Sequence, residues 1–249
     1  MIDGNNVVCR DLFGGGIKNA PSSFERRLDV IIKTWNPNCI IMCWDSDGPT
    51  FRHQLFSEYK AGREPIEGLD YVIRNVRDIC SLRNIPQFQF EGFEADDIIA
   101  TIVHQVFLET RTVIFSSDRD LHQLLVEGRV SQLTRCSKSF AQLDCDWVTA
   151  SVFKEKYGIE PKQWVEWKMI AGDSSDGISG VYRVGPKAAT QVLSSCGTLE
   201  RFFANPGKAK LGKARTDSML KGQSGLEVFR ELCQLRYDVP LDPMWREGV

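Results

Sequence analysis

Only three histidines, and no Cys-x-x-Cys pair among eight scattered cysteines, exclude the usual zinc-binding patterns. Cys9, Cys39, Cys43, Cys80, Cys136, Cys145, Cys196 and Cys233 read instead as reduced, largely buried thiols of a cytoplasmic protein, because no secretory signal opens the chain. No apolar run approaches membrane-spanning length, so no membrane partner is expected. Positive charge is not in surplus either. With 31 Lys and Arg against 33 Asp and Glu, the formal net charge is −2, which argues against holding nucleic acid by a general basic field.

What the 249 residues do have is enough apolar content, 42%, for one large domain or a main domain with a small satellite. Their charges are also clustered. Lys and Arg gather at 52–63, 183–187 and 208–221, and acids concentrate in short groups. The densest group is Glu94-Ala95-Asp96-Asp97, which precedes Ile98, Ile99, Ile102, Val103 and Val106 at helical spacing. A helix dipole offsets one or two acids in a first turn, not three that converge. Such a cluster alone is most often a solvated helix start. Its company changes that reading: Asp3-Gly4-Asn5, Trp44-Asp45-Ser46-Asp47, Ser117-Asp118-Arg119-Asp120 and Gly172-Asp173-Ser174-Ser175-Asp176 each place acids where a strand or helix meets a loop.

The chain opens abruptly, with only Ile2 ahead of Asp3, so the first strand is either very short or partly missing. A helical turn over 7–13, a glycine-rich loop at Gly14-Gly15-Gly16 and a helix over 22–35 follow. Cys39 to Trp44 and Thr112 to Phe115 read as buried strands, Ile85 to Phe90 and Val130 to Leu133 as shorter ones, with helices over 69–83 and from Glu94 between them. This alternation predicts an α/β fold with a mostly parallel central sheet flanked by helices. Ligands of such sheets bind outside the carboxyl ends of the strands, where Asp3, Asp45 and Asp118 fall. From Asp146 the pattern turns helical, with helices over 148–157, 161–171, 188–193 and 226–235 and an exposed, mobile loop at 205–225. Gly180-Val181-Tyr182-Arg183-Val184-Gly185-Pro186-Lys187 describes a helix-hairpin-helix, whose backbone amides can cradle a phosphate.

Together these pieces resemble the structure-specific 5′ nuclease family: flap endonucleases, phage 5′ exonucleases and the amino-terminal nuclease domain of bacterial DNA polymerase I. Seven segments carry the resemblance in order: Ile2-Asp3-Gly4, Trp44-Asp45 with Phe51-Arg52-His53, Tyr59 to Arg63, Gly92 to Asp97, Ser117 to Asp120 with Leu124-Leu125, Gly172 to Asp176, and Gly185 to Ala188. It implies a PIN-like resolvase-type core over 1–145 that includes a helical arch at 60–90, and a helix-hairpin-helix region over 146–249.

It further implies two divalent ions, magnesium (Mg2+) with manganese (Mn2+) as a substitute. Asp3, Asp45, Glu94 and Asp96 would hold the first, and Asp118, Asp120, Asp173 and Asp176 the second, with Asp97 beside them. Lys60 and Arg63 would join Asp3 and Asp45 in catalysis by reaching the scissile phosphate, Arg10 and Arg52 would steer phosphates, and Tyr59 would stack on or orient a terminal base. Gly180, Val181, Gly185 and Lys187 would grip duplex DNA, at a hairpin that in this family often carries potassium (K+). The implied substrate is DNA with a 5′ end or flap next to duplex. The implied enzyme is a free-standing monomer in replication and repair, served by a separate DNA polymerase. A ribonuclease on the same acid-rich fold and a non-catalytic branched-DNA binding module are the alternatives.

Overall fold

The computed structural model describes residues 1–137 and 144–242. Its strands are β1 (Ile2–Asp3), β2 (Met42–Trp44), β3 (Gln87–Gln89), β4 (Thr112–Phe115), β5 (Val130–Cys136) and β6 (Cys145–Val148). They form one sheet in the order β3-β2-β1-β4-β5-β6, parallel throughout except for β6, which runs antiparallel to β5. β1 comprises two residues here. Partners on both sides hold it: Ile2 N–H donates to the Ile41 carbonyl at 2.8 Å, and Phe115 N–H to the Met1 carbonyl at 2.8 Å. Strand order reverses between β1 and β4, and the acids that follow β1, β2 and β4 flank that switch point.

In the first half, α1 (Gly4–Trp35), α2 (Phe51–Leu55), α3 (Leu69–Leu82) and α4 (Ala95–Gln105) surround the sheet. One face packs Val7, Leu12, Phe24 and Leu28 of α1 with Val72, Val76 and Cys80 of α3. The other receives Ile98, Ile99, Ile102 and Val103 of α4. A Cβ at Gly4 would come within 2.4 Å of the Trp44 ring, so the residue after Asp3 has to be glycine for α1 to start this close to the sheet. The expected glycine-rich loop shrinks to a single break: Gly14 and Gly15 stay helical, and at Gly16 (φ 71°, ψ 168°) α1 kinks between two helical segments that pack into one core.

The second half is a helical layer with its own core: α5 (Ala150–Tyr157), α6 (Trp164–Ala171), α7 (Pro186–Cys196), α8 (Leu199–Ala204), α9 (Lys213–Gly222) and α10 (Leu226–Cys233). The expected loop at 205–225 is largely structured, comprising a 3-10 turn at Pro206–Ala209, then α9 and a second such turn at Gln223–Gly225. Met219 and Ala209 anchor it in the core despite its Gly- and Lys-rich composition. Among the described residues no helix is long and apolar enough to cross a membrane.

Candidate metal centre

Three strand ends bring Asp3, Asp45 and Asp118 together. Asp3 caps α1, accepting the Asn6 N–H at 3.1 Å and the Ser116 hydroxyl at 2.7 Å. Asp45 accepts the Ala95 N–H at 2.8 Å, and so ties β2 to the start of α4. Asp118 is fixed from behind: its N–H donates to Ser116 Oγ at 3.0 Å, and Gln132 donates to its carbonyl at 2.6 Å. Buried together, these acids resist ionising. Burial, then the charges of Asp45 and Asp118, pushes Asp3 up to about 7, while burial and Asp120 push Asp118 up to about 6. Asp45 is raised by burial and by Glu94.

The first turn of α4 adds Glu94, Asp96 and Asp97, whose carboxylate oxygens converge within 4.8 Å of one another. Asp96 is held well above the usual carboxylate range by burial and by Asp97 and Glu94. For Glu94, burial works in the same direction, but Lys60 and Arg52 outweigh it and lower the carboxyl. Lys60 Nζ lies 2.5 Å from Glu94 Oε1, and the Tyr59 hydroxyl donates to Oε2 at 2.9 Å.

Asp120, Asp173 and Asp176 form a second converging group within the same 4.8 Å limit. Lys168 of α6 puts its ammonium among them, bonded to Asp120 and lying 3.1 Å from Asp173 and 3.3 Å from Asp176. Burial would lower this lysine, yet the surrounding acids raise it well above its ordinary value. Arg63 reaches Asp176 from outside at 3.2 Å. Asp118 links the groups electrostatically, contributing to the shifts of both Asp3 and Asp96 while itself feeling Asp120 and Lys168.

Lys168 sits among three carboxylates of the second group and Lys60 on Glu94 of the first, so each group accepts a cation. An all-oxygen donor set of this kind suits a hard divalent ion. Lys168 escapes a reading of sequence motifs. The available signal was a lysine inside the apolar run Trp164 to Ala171, since a buried lysine requires carboxylate partners.

Other expected site residues take different places. Arg52 is 1% exposed and donates to Asp97, Glu94 and the carbonyls of Leu232 and Gln234, so its guanidinium is spent inside the protein rather than free for a phosphate. Asp97 sits in the Glu94 group, not beside the second. Both its oxygens are taken, by Arg52 and by the N–H groups of Glu94 and Arg236. The Tyr59 ring is 2% exposed in the helical core, with His53 edge-on to it, which leaves no open face for a base. Arg10 is half-buried beneath β5, bonded to the Thr134 carbonyl and stacked over Phe115, with Nε and Nη2 unpartnered.

Of the stretch 60–90 assigned to an arch, α3 and β3 belong to the packed core and sheet, and the residues whose side chains reach the acids lie before Gly68. The hairpin at 180–185 packs hard against the end of α6. A Cβ at Gly180 (φ 67°) would come within 2.4 Å of the Gly172 nitrogen, and Val181 N–H donates to the Ile170 carbonyl at 2.8 Å. Gly185 precedes α7, and Lys187 and Arg183 are exposed.

Residues 1–158 match the model of the 5′-3′ exonuclease N-terminal resolvase-like domain, and residues 159–247 that of the 5′-3′ exonuclease C-terminal SAM fold. The chain is 31% identical over 248 residues to a 5′-3′ exonuclease of Mycoplasmopsis pulmonis, covering 97% of this chain and 81% of that one. Thermostable DNA polymerase I of Thermus thermophilus is 30% identical over 252 residues, but the chain spans only 29% of its length. Among solved structures, the bacteriophage T5 5′-exonuclease with bound divalent zinc ions has a TM-score of 0.77 at 24% identity, covering 94% of this chain and 88% of that one. A second structure, the bacteriophage T5 flap endonuclease with DNA and metal ions, has a TM-score of 0.78 at 22% identity and the same coverage; both share the fold. Two adjoining family models thus cover almost the whole chain, in the order in which its sheet and its helical layer follow one another. The chain belongs to the 5′-3′ exonuclease family.

Proposed function

We propose that the protein is a magnesium-dependent 5′-3′ exonuclease and 5′-flap endonuclease that hydrolyses DNA phosphodiesters during replication or repair. The observation that supports this most is the convergence of acids from separate parts of the chain into two groups bridged by Asp118. In this reading Asp3, Asp45, Glu94 and Asp96 hold one ion, and Asp118, Asp120, Asp173 and Asp176 the other. Magnesium bound there supplies a nucleophilic hydroxide at neutral pH and compensates the charge of the leaving oxygen.

The chain's own residues do the rest. Lys60 and Arg63 stand at the rim of the two groups, on Glu94 and Asp176, so a backbone phosphate drawn to the acids comes within reach of both cations. Arg10 keeps its phosphate-steering role in this reading only if the chain around its buried Nε and Nη2 opens to let a phosphate in. The hairpin of Gly180, Val181 and Gly185 brings exposed Lys187, at the start of α7, to duplex, and a potassium ion at that hairpin belongs to the same reading. The core at 1–145 then carries most of the chemistry, and the helices of 146–249 complete the site with Asp173 and Asp176 and grip the duplex, with a separate polymerase as the partner in replication.

The test is cleavage of a 5′-flapped DNA duplex with and without magnesium, beside an RNA duplex of the same shape. Flap cleavage that requires the metal and fails in Asp118→Asn with binding retained supports the proposal. Metal-free cleavage, RNA-only cleavage or full activity of Asp118→Asn overturns it.

A further inference from the structure

Cys136 and Cys145 are register partners on the antiparallel strands β5 and β6, and no other cysteine among the described strands faces a cysteine. The Ser137 N–H donates to the Asp144 carbonyl at 2.9 Å, which makes 137 and 144 a hydrogen-bonded pair. The next pair along, Cys136 and Cys145, is therefore of the non-hydrogen-bonded kind. Pairs of that kind bring their Cα atoms to about 4.5 Å with side chains closest, within the range of about 4.4–6.8 Å that a disulfide spans. Arg135 clamps this register from the next position, at 2.6 Å from Asp144 and 2.7 Å from Asp146. Cys145 across the pair adds to burial in pushing the Cys136 thiol up to about 12.

We propose that Cys136 and Cys145 form a modification site, a reversible intramolecular disulfide made by a hydroperoxide. Cys145 is partly exposed and meets the oxidant, whereas Cys136 is 3% exposed. The Cys145 thiolate attacks the peroxide oxygen, the O–O bond breaks, and a sulfenic acid forms as water leaves. The Cys136 sulfur then attacks the Cys145 sulfur, the S–O bond breaks, and the Cys136 proton leaves with the hydroxide as a second water. Two thiols lose two electrons to the peroxide, and the protein loses two hydrogens.

The bond would staple β6 to the strand that supports the acid turn, because Gln132 of β5 holds the carbonyls of Ser116 and Asp118 at 2.8 and 2.6 Å. It therefore acts as a clamp on the folded state and lies outside the groups that would meet substrate.

The experiment treats the full chain with hydrogen peroxide, then measures intact mass, free thiols, the linked peptide and the melting temperature. The expected result is a loss of two hydrogen masses, a fall from eight free thiols to six, a peptide joining Cys136 to Cys145, and a melting temperature several degrees higher that dithiothreitol reverses. Cys145→Ser, whose fold is checked by circular dichroism, should lose no hydrogens. Oxygen added at Cys145 without a linked peptide, or the same mass loss in Cys145→Ser, would overturn the proposal.

Discussion

The Arg52 guanidinium grips both carboxylate oxygens of Asp97, Nη1 at 2.7 Å from one and Nη2 at 2.8 Å from the other, with both side chains buried. The same guanidinium reaches the carbonyls of Leu232 and Gln234, so the first turn of α4 is fastened to the end of α10 through one ion pair. Every N–H of Arg52 has an acceptor, which is the condition under which a buried charge is tolerated.

Arg52→Met should therefore strand Asp97 and cost about 3–5 kcal/mol in urea-induced unfolding. Arg52→Lys keeps the charge, loses the two-pronged grip and should fall between. Adding Asp97→Leu to Arg52→Met should recover much of the loss. If Arg52 instead served DNA alone, Arg52→Met would leave the unfolding midpoint unchanged.

Lys168 competes for the carboxylates that a divalent ion would use. Lys168→Met should make the metal-free protein less stable, by at most about 3–5 kcal/mol, because buried Asp176 and half-buried Asp120 and Asp173 lose their counter-charge. Calorimetric titration should show it binding magnesium more tightly than the wild type. Weaker binding would mean that the ammonium assists the ion rather than standing in for it.

The pH dependence has a definite sign. Asp3 and Asp118 have folded-state values of about 7 and about 6, above their ordinary 3.8. Between those limits the folded chain keeps protons that the unfolded chain releases, so the stability present at low pH is lost as pH rises through the folded values. Chelated protein should melt several degrees lower at pH 8 than at pH 5, and magnesium should remove most of that difference. A melting temperature that rises with pH in the chelated protein would contradict the burial of these acids.

Much of this was legible in the sequence, for a physical reason. Acids at strand ends stand out because the apolar strands before them are easy to read, and parallel topology brings those ends to one edge, as with Asp3, Asp45 and Asp118. Burial of long cations was not legible. Arg52 and Lys168 look like surface residues in a linear reading, and only the packed partners show that their charges face inward. The glycine run was half legible, since α1 does break at Gly16, while the structured stretch at 205–225 was hidden because tertiary burial overrode local propensity.

Arg183 holds φ 62° at the hairpin tip, with its guanidinium over the 76%-exposed Tyr182 ring. Arg183→Gly should relieve that backbone and stabilise the protein by about 0.5–1 kcal/mol. If the tip meets duplex phosphate, the same change should weaken DNA binding and lower the salt slope by about 1. An unchanged slope would place the tip away from the DNA.

Anomalous scattering from a manganese-soaked crystal shows whether distant acids meet to hold divalent ions in two groups. Two peaks are expected, one against Glu94 and Asp96 and one against Asp120, Asp173 and Asp176, with the Lys60 and Lys168 ammonium groups moved aside. No peak in either group, with both lysines still seated among the carboxylates, would contradict the two-ion reading.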